Sequence, residues 1–492
     1  MNSFIKNIGY VIIGVFMPLL GIIGQQNLSL TDVITLAHGQ SLSQKKVNNT
    51  FENKYWQYNS YKKMFLPKLE FNGTLPDFNV GLSKVVQPDG TVSFERTSQI
   101  TSNASVSISQ PIKWTGGNLF FSTDLIRLDW LGSSPYTSYR TSPFYIGVSQ
   151  PLLKFNRFKW SQKIEPLVFE EAKRLSVEQS EDVSIEAVLL FFNVLQNRSN
   201  YEVAKLNKKN SDTLYQISKG RYSLGKIAEN ELLQIELTSL NAEKSLAQAI
   251  LDVQVSEQAL KTFLKLPYNQ KLELTIDTNL PLQTLEVNKV VELAKQHRSE
   301  YIAYQRRLLE SQRELDKVKK ENSFNADLFA AYGVTQTAPT LDASYQNPLD
   351  QESVRLGVRV PIYNWGLSKS NIKQQQANTE LIQNQIEQDK KNFEQDVFIL
   401  ASQFNIMAQQ VVIAQKAMEV AKKRYEVSKQ RYLIGKSDIL TFNNSLQERN
   451  KAIEMYYQTI ASYWQSFYTI RKLTHYDFVN NKLIEAPSFD GK

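Results

Sequence analysis

The sequence predicts a mixed α/β membrane protein in which amphipathic strands, too few to close alone, form a shared transmembrane barrel continuous with long coiled-coil helices. Three observations lead there: an export-like start, a chain written twice, and two hydrophobic periods, one helical and one of two residues.

The start opens with Lys6 and runs apolar from Ile8 to Ile23, broken only by glycine, tyrosine and proline. This is the layout of an export signal, and Pro18, Gly21 and Gly24 favour cleavage over a retained anchor. A signal peptide is expected over residues 1–24. No later segment reads as a membrane-spanning helix, so re-entry into a membrane would have to use strands.

The repeat carries the most information. Ser218, Lys219, Arg221, Tyr222, Gly225 and Lys226 recur as Ser428, Lys429, Arg431, Tyr432, Gly435 and Lys436, 210 residues later. Upstream, Ile146 to Leu152 recurs as Leu356 to Ile362 at the same offset. The opening helix recurs too, with Leu28, Leu30, Val33, Leu36 and Ala37 matched by Leu285, Val287, Val290, Leu293 and Ala294, at an offset of 257. The first copy therefore carries a surplus before Ile146. Each copy reads as helix, strand pair, long helix, turn, long helix.

The long helices follow from scarce breakers and heptad stripes. Nineteen glycines and fifteen prolines in 492 residues, mostly clustered, leave long stretches without a stop signal. Phe393, Val397, Leu400, Phe404, Met407, Val411, Ala414, Met418, Ala421 and Tyr425 follow alternating spacings of four and three, the mark of left-handed coiled-coil packing. Ile453, Tyr456, Ile460, Tyr463, Phe467 and Ile470 do the same after the turn. Helices are expected from Ser161 to Tyr222 and from Leu367 to Tyr432.

The strands have two unlike faces. Val354, Leu356, Val358 and Val360 alternate with Arg355, Gly357 and Arg359, which makes the two arginines candidates for a barrel lumen. Ile100, Ala104, Val106 and Ile108 alternate with Ser and Asn; Leu69, Phe71 and Leu75 share a face, as do Leu328, Ala330, Tyr332 and Val334. Gln87 to Gly90 and Trp130 to Pro143 read as external loops. Ser98 to Gln110 and Asn118 to Leu125 could add a strand pair, either in the barrel or projecting from it. Four strands cannot enclose a channel, and open edges are forbidden in lipid, so identical neighbours must complete the sheet.

Composition excludes several functions. The net charge of +8 comes from lysine and arginine interleaved with acids along helices, which argues against nucleic acid. With no cysteine there is no disulfide, thiolate site or lipidated Cys. His38, His297 and His475 are widely separated and expected on solvated surface, and the helix carboxylates are expected on solvated faces. No phosphate-cradling loop, catalytic constellation or clustered metal ligand is found, so no enzyme, metal or cofactor is expected.

The duplicated pattern, the tips Arg221-Tyr222-Ser223-Leu224-Gly225-Lys226 and Arg431-Tyr432-Leu433-Ile434-Gly435-Lys436, and the strand exits Gln150-Pro151-Leu152 and Val360-Pro361-Ile362 resemble the TolC-like outer membrane efflux family. The resemblance covers almost the whole mature chain. It implies a homotrimer with a barrel in the outer membrane and a periplasmic α-helical coiled-coil barrel. It also implies a periplasmic adaptor and an inner membrane pump as partners, docking at the tips through Arg221, Tyr222, Leu224, Gly225, Lys226, Arg431, Tyr432, Ile434, Gly435 and Lys436. The expected organisation is a first repeat over 25–284, with strands about 67–79 and 143–150, an insert about 92–126 and a helical hairpin over 160–266. A second repeat follows over 285–475, with strands about 326–336 and 352–361 and a hairpin over 367–473; then comes a tail, 476–492, at an equatorial region that also takes Pro267 to Thr284. Family members ring their entrance with acids after the second tip. Here those positions are Thr441, Asn443 and Asn444, so the candidate constriction acids are Asp438, Glu229 and Glu231. The function implied is passive conduction of cargo delivered by the pump. The alternative is a trimeric coiled-coil envelope or adhesin-like protein.

Overall fold

The computed structural model describes residues 26–486 except 87, 88, 133, 276–281, 435 and 438. The signal segment 1–24, Gly435, Asp438 and the end of the tail from 487 lie outside the described residues. In chain order the elements are β1 (Gln26–Leu28), α1 (Leu30–Gln40), α2 (Leu42–Lys63), β2 (Lys68–Val86), β3 (Val92–Pro111), β4 (Asn118–Trp130), β5 (Tyr136–Leu152), α3 (Arg157–Ser223) and α4 (Glu229–Phe263). There follow β6 (Leu272–Leu274), α5 (Val287–His297), α6 (Ser299–Glu321), β7 (Asn325–Ala338), β8 (Leu349–Arg359), α7 (Leu367–Leu433), α8 (Ile439–Thr474), β9 (Tyr476–Asp477) and β10 (Lys482–Leu483).

Helix starts recur at the two offsets. α3 and α7 are each 67 residues long and begin 210 apart; α4 and α8 also begin 210 apart, and α1 and α5 begin 257 apart. At 1.5 Å per residue the two longest helices each span roughly 100 Å. The first is opened by a loop cap: Asn156 Oδ1 accepts from the N–H groups of Phe158 and Lys159 at 2.9 and 3.2 Å.

The chain divides into two compact units. One comprises the chain up to Lys45, Asp182–Thr284 and Ile406–Tyr468. There α1 begins with a capping box, in which the Asp32 N–H donates to Ser29 Oγ at 3.2 Å while the Ser29 N–H donates to Asp32 Oδ2 at 2.9 Å. β1 and β6 pair in parallel. Val411, Tyr425, Ile460 and Tyr463 are buried, which places the α7 and α8 stripes in the core as their spacing requires. His38 hydrogen-bonds Gln44 and Ser184 at 2.9 and 2.8 Å and so is partly buried, not solvated.

The other unit comprises Lys46–Glu181, Leu285–Asn405 and the chain from Thr469. It contains a six-stranded antiparallel sheet in the order β2-β3-β4-β5-β7-β8 and the short antiparallel pair β9–β10. Six strands replace the four expected as the minimum: the first-copy surplus supplies β3 and β4, which pair along their lengths with β2 and β5. The strands are also longer than the alternating runs suggested, because pairing carries the extended backbone past the apolar positions. Trp130 to Pro143 is mostly strand, with β5 already under way at Tyr136. Alternating Thr and Tyr at its start favour extended backbone as much as a loop.

The β3–β4 turn is set by Gly117, where a Cβ would stand 3.0 Å from the Ser149 carbonyl oxygen and 2.4 Å from Gln150 Oε1. A side chain here would displace Gln150 and crowd the Ser149 carbonyl, and the neighbouring Gly116 takes φ +80°, a conformation that favours glycine. One expectation about helices is corrected as well. α7 holds an 18-residue window of mean hydropathy 1.6 that could span a membrane by length and composition. The window arises because the helix carries apolar residues on two faces: Val397, Phe404 and Val411 are buried, whereas Ile399, Ile406 and Ile413 are exposed.

Candidate functional site

Two surfaces deserve a functional account, one on the sheet and one at the helix turns. On the sheet, register aligns Leu69, Ile108, Phe121, Ile146 and Tyr332 directly across five neighbouring strands. All five are 40–69% exposed. On β8 the exposed apolar residues are Val354, Leu356 and Val358, paired with Ala330, Leu328 and Ala326. The next row, on the opposite face, runs Glu70, Ser107, Ser122, Tyr145, Gly333 and Gln351. A water-soluble sheet buries its apolar face under another layer, whereas this one leaves a contiguous apolar belt uncovered; the face behind it mixes polar and small residues with an aromatic group of Phe120, Tyr145 and Phe329. Arg355 and Arg359 lie on the face opposite that belt, and the Arg355 guanidinium sits over the Phe329 ring at 5.7 Å.

At the turns, α3 ends in a Schellman motif: the Lys226 N–H donates to the Arg221 carbonyl and the Gly225 N–H to the Tyr222 carbonyl, both at 2.9 Å, with Gly225 at φ +66°. The second turn repeats the longer bond, from the Lys436 N–H to the Arg431 carbonyl at 2.8 Å. Arg221, Tyr222, Leu224, Lys226, Arg431, Ile434 and Lys436 are exposed, with Leu224 and Ile434 at 72% and 64%. Gly435, Asp438 and the side chain of Tyr432 fall outside the described residues. Glu229 and Glu231 are exposed in the first turn of α4, where acids suit the helix dipole without any further role. Glu231 also borders a 460 Å³ cavity between α3, α4 and α8, lined by Leu214, Ile235, Leu440 and Phe442.

Sequence reasoning missed a buried ionic cluster. Arg471 donates from Nε and Nη2 to the two oxygens of Glu181, each at 3.1 Å, and from Nη1 to Asp477 at 2.9 Å. Glu178 accepts the Ser299 N–H at 2.8 Å and faces Arg298 at 3.2 Å and His475 at 3.4 Å. These carboxylates are buried, not solvated, and so is His475. Burial pushes Glu178 up, but His475, Arg298 and Ser299 outweigh it and hold the carboxyl below its ordinary 4.5. Burial leaves Glu181 raised despite Arg471. The cluster ties the segment after α8 to α3 and to the α5–α6 junction. Among the described residues no group of His, Cys, Asp and Glu is arranged to hold a metal.

An uncovered apolar belt on a sheet with two free edges, in a chain that also carries very long helices, is the pattern of a sheet that inserts in a membrane. The comparisons agree with this reading. Residues 322–474 match the family described as outer membrane efflux protein. The fold as a whole is similar to the Campylobacter jejuni CmeC outer membrane channel, at TM-score 0.63 and 15% identity, covering 90% of this chain and 85% of that one. It is similar also to the outer membrane protein VceC from Vibrio cholerae, at TM-score 0.61 and 11% identity over 90% and 95%. The open-state MtrE outer membrane channel of Neisseria gonorrhoeae follows at TM-score 0.51 and 14% identity over 90% and 88%. No curated protein matches the sequence.

Proposed function

We propose that this chain is one protomer of a homotrimeric outer membrane channel, passively conducting cargo handed to it by an inner membrane pump through a periplasmic adaptor. The observation that carries the proposal is the apolar row from Leu69 to Tyr332, exposed across five strands of a sheet whose two edges are free. Lipid covers such a belt and strands of neighbouring copies satisfy such edges. On this reading the strands of both repeats lie in the outer membrane and their helical hairpins in the periplasm. Arg355 and Arg359 then face the lumen, and Glu229, Glu231 and Asp438 are the acids available to ring the entrance. The two turns, through Arg221, Tyr222, Leu224, Gly225 and Lys226 and through Arg431, Tyr432, Ile434, Gly435 and Lys436, meet the adaptor. Exposed Leu224 and Ile434 suit that contact, since neither has a core to fill.

Conductance of the purified protein in planar bilayers tests the reading. Discrete steps from a particle of three chains support it. A non-conducting rod would instead point to an envelope or adhesin-like structural protein.

A further inference from the structure

The two surplus strands of the first repeat lie in the same sheet as the others and carry the same lipid-facing belt. β3 contributes Ile108 and β4 contributes Phe121, directly opposite one another and between Leu69 of β2 and Ile146 of β5. Both are 40% exposed. A hairpin standing off into water would have no use for aliphatic and aromatic side chains at the membrane level, in register with the rest. Nor could it leave easily. β2 pairs with β3 from Lys68↔Ser109 to Val86↔Val92, and the sheet has no β2–β5 pairing to fall back on.

With β3 and β4 inside, the free edges of each copy are β2 and β8. The belt also shifts across the sheet. In β2 exposed apolar residues extend from Leu69 up to Leu82, whereas in β8 they sit lower in register, at Val354 to Val358. A belt that is level in the membrane but slanted across the register is what tilted barrel strands produce. It means that the β8 belt of one copy stands level with the β2 belt of the next.

We infer that each copy contributes six strands to the barrel and joins its neighbours through β2 and β8, so that three copies close an eighteen-stranded barrel. The inference rests on the trimeric channel reading above and specifies its interface and width. Strands about 4.8 Å apart and tilted by about 40° give a backbone diameter of roughly 36 Å for eighteen strands, against roughly 24 Å for twelve. Barrels of this larger size hold an open aqueous channel. The barrel would then admit bulkier cargo than a twelve-stranded one, and selection by size would fall to the helical stalk and its entrance.

The chain has no cysteine, so introduced pairs are the only thiols. Leu356→Cys is combined in turn with Phe71→Cys, Leu75→Cys, Phe78→Cys and Val80→Cys in the full-length protein in outer membranes, and oxidised. Facing cysteines on adjacent strands fall within disulfide reach. At least one pair should shift the chain to covalent dimers and trimers, absent from each single variant. Two further pairs represent four-stranded alternatives. Phe121→Cys with Leu356→Cys would link copies if β4 were the edge, and Phe71→Cys with Ile146→Cys would link within a chain if β3 and β4 stood outside. Either of these in place of a β2–β8 ladder overturns the inference and leaves the channel reading intact. So does a trimeric, conducting protein in which no β2–β8 pair links. A monomeric, non-conducting particle would overturn both.

Discussion

Substituting one lipid-facing residue by lysine separates a membrane belt from an exposed soluble sheet by energy alone. Ile146 is the strongest choice: it lies in the middle of the apolar row, with Phe121 and Tyr332 as its two register partners, and it is already 44% exposed in the isolated chain. In a water-soluble sheet Ile146→Lys would cost within about 0.5 kcal/mol, since an exposed site tolerates a charge. Near a bilayer midplane the same change costs about 2–4 kcal/mol per chain, and therefore about 6–12 kcal/mol for three chains unfolding together. Ser107→Lys is the internal control. It lies one residue from Ile108 on the opposite face, among Glu70 and Ser122, and should cost little. Urea unfolding from lipid vesicles, followed by tryptophan fluorescence, reads the difference. Equal midpoints for the two variants would refute the assignment of the faces.

Other outcomes follow from the same structure. Gly225→Ala should destabilise the first turn by about 1 kcal/mol, because a left-handed residue gains a Cβ in open space; faster amide exchange at Lys226 would report it. Arg471→Ala strands buried Glu181 and should cost about 3–5 kcal/mol, read as earlier thermal release of the segment after α8; Glu181→Gln in the same chain should restore part of the loss. Glu178 and Asp477 have lowered folded-state values, so their contribution is present above the unfolded values of 4.5 and 3.8 and is lost as pH falls through the folded ones. Glu181 has a raised value and works the other way, its contribution fading as pH rises through that value. On strong acidification the loss of the Glu178 and Asp477 contributions should accelerate proteolysis of the tail, and Glu178→Gln should flatten that acid limb. Leu224→Asp and Ile434→Asp should abolish crosslinking to the adaptor in cells while leaving bilayer conductance unchanged.

Sequence periodicity was most reliable where one interaction dominates. Val397, Phe404, Val411 and Tyr425 are buried as their heptad spacing requires, and Ile460, Tyr463 and Ile470 likewise. The same helix hid a second message. Ile399, Ile406, Ile413, Val420, Val427 and Ile434 recur every seventh residue and are 41–64% exposed, a second seam that the first stripe masks because either alone accounts for a coiled coil. For β3 and β4, alternation gave the strands but not their neighbours, since a period of two does not say which sheet a strand joins. The ionic cluster was illegible for a different reason: Ser299 lies 121 residues from Glu178 and Arg471 lies 290 from Glu181, and each looks like any charged or polar residue on a helix.

The exposed seam and the free sheet edges make one demand from two solvents. In lipid, β2 and β8 each present unpaired backbone groups, and no lone six-stranded sheet can remain there with open edges. In water, six apolar side chains in a heptad line on α7 call for another helix with a matching stripe. α4 carries an exposed stripe at Leu233, Leu237, Leu240 and Leu251, on the helix that leaves the first turn as α7 approaches the second. A structural rod would need the helical seam but not the lipid belt, and a simple barrel the reverse. On the trimeric reading proposed above, a chain that leaves both unfinished is completed in both solvents by the same event, the arrival of identical copies.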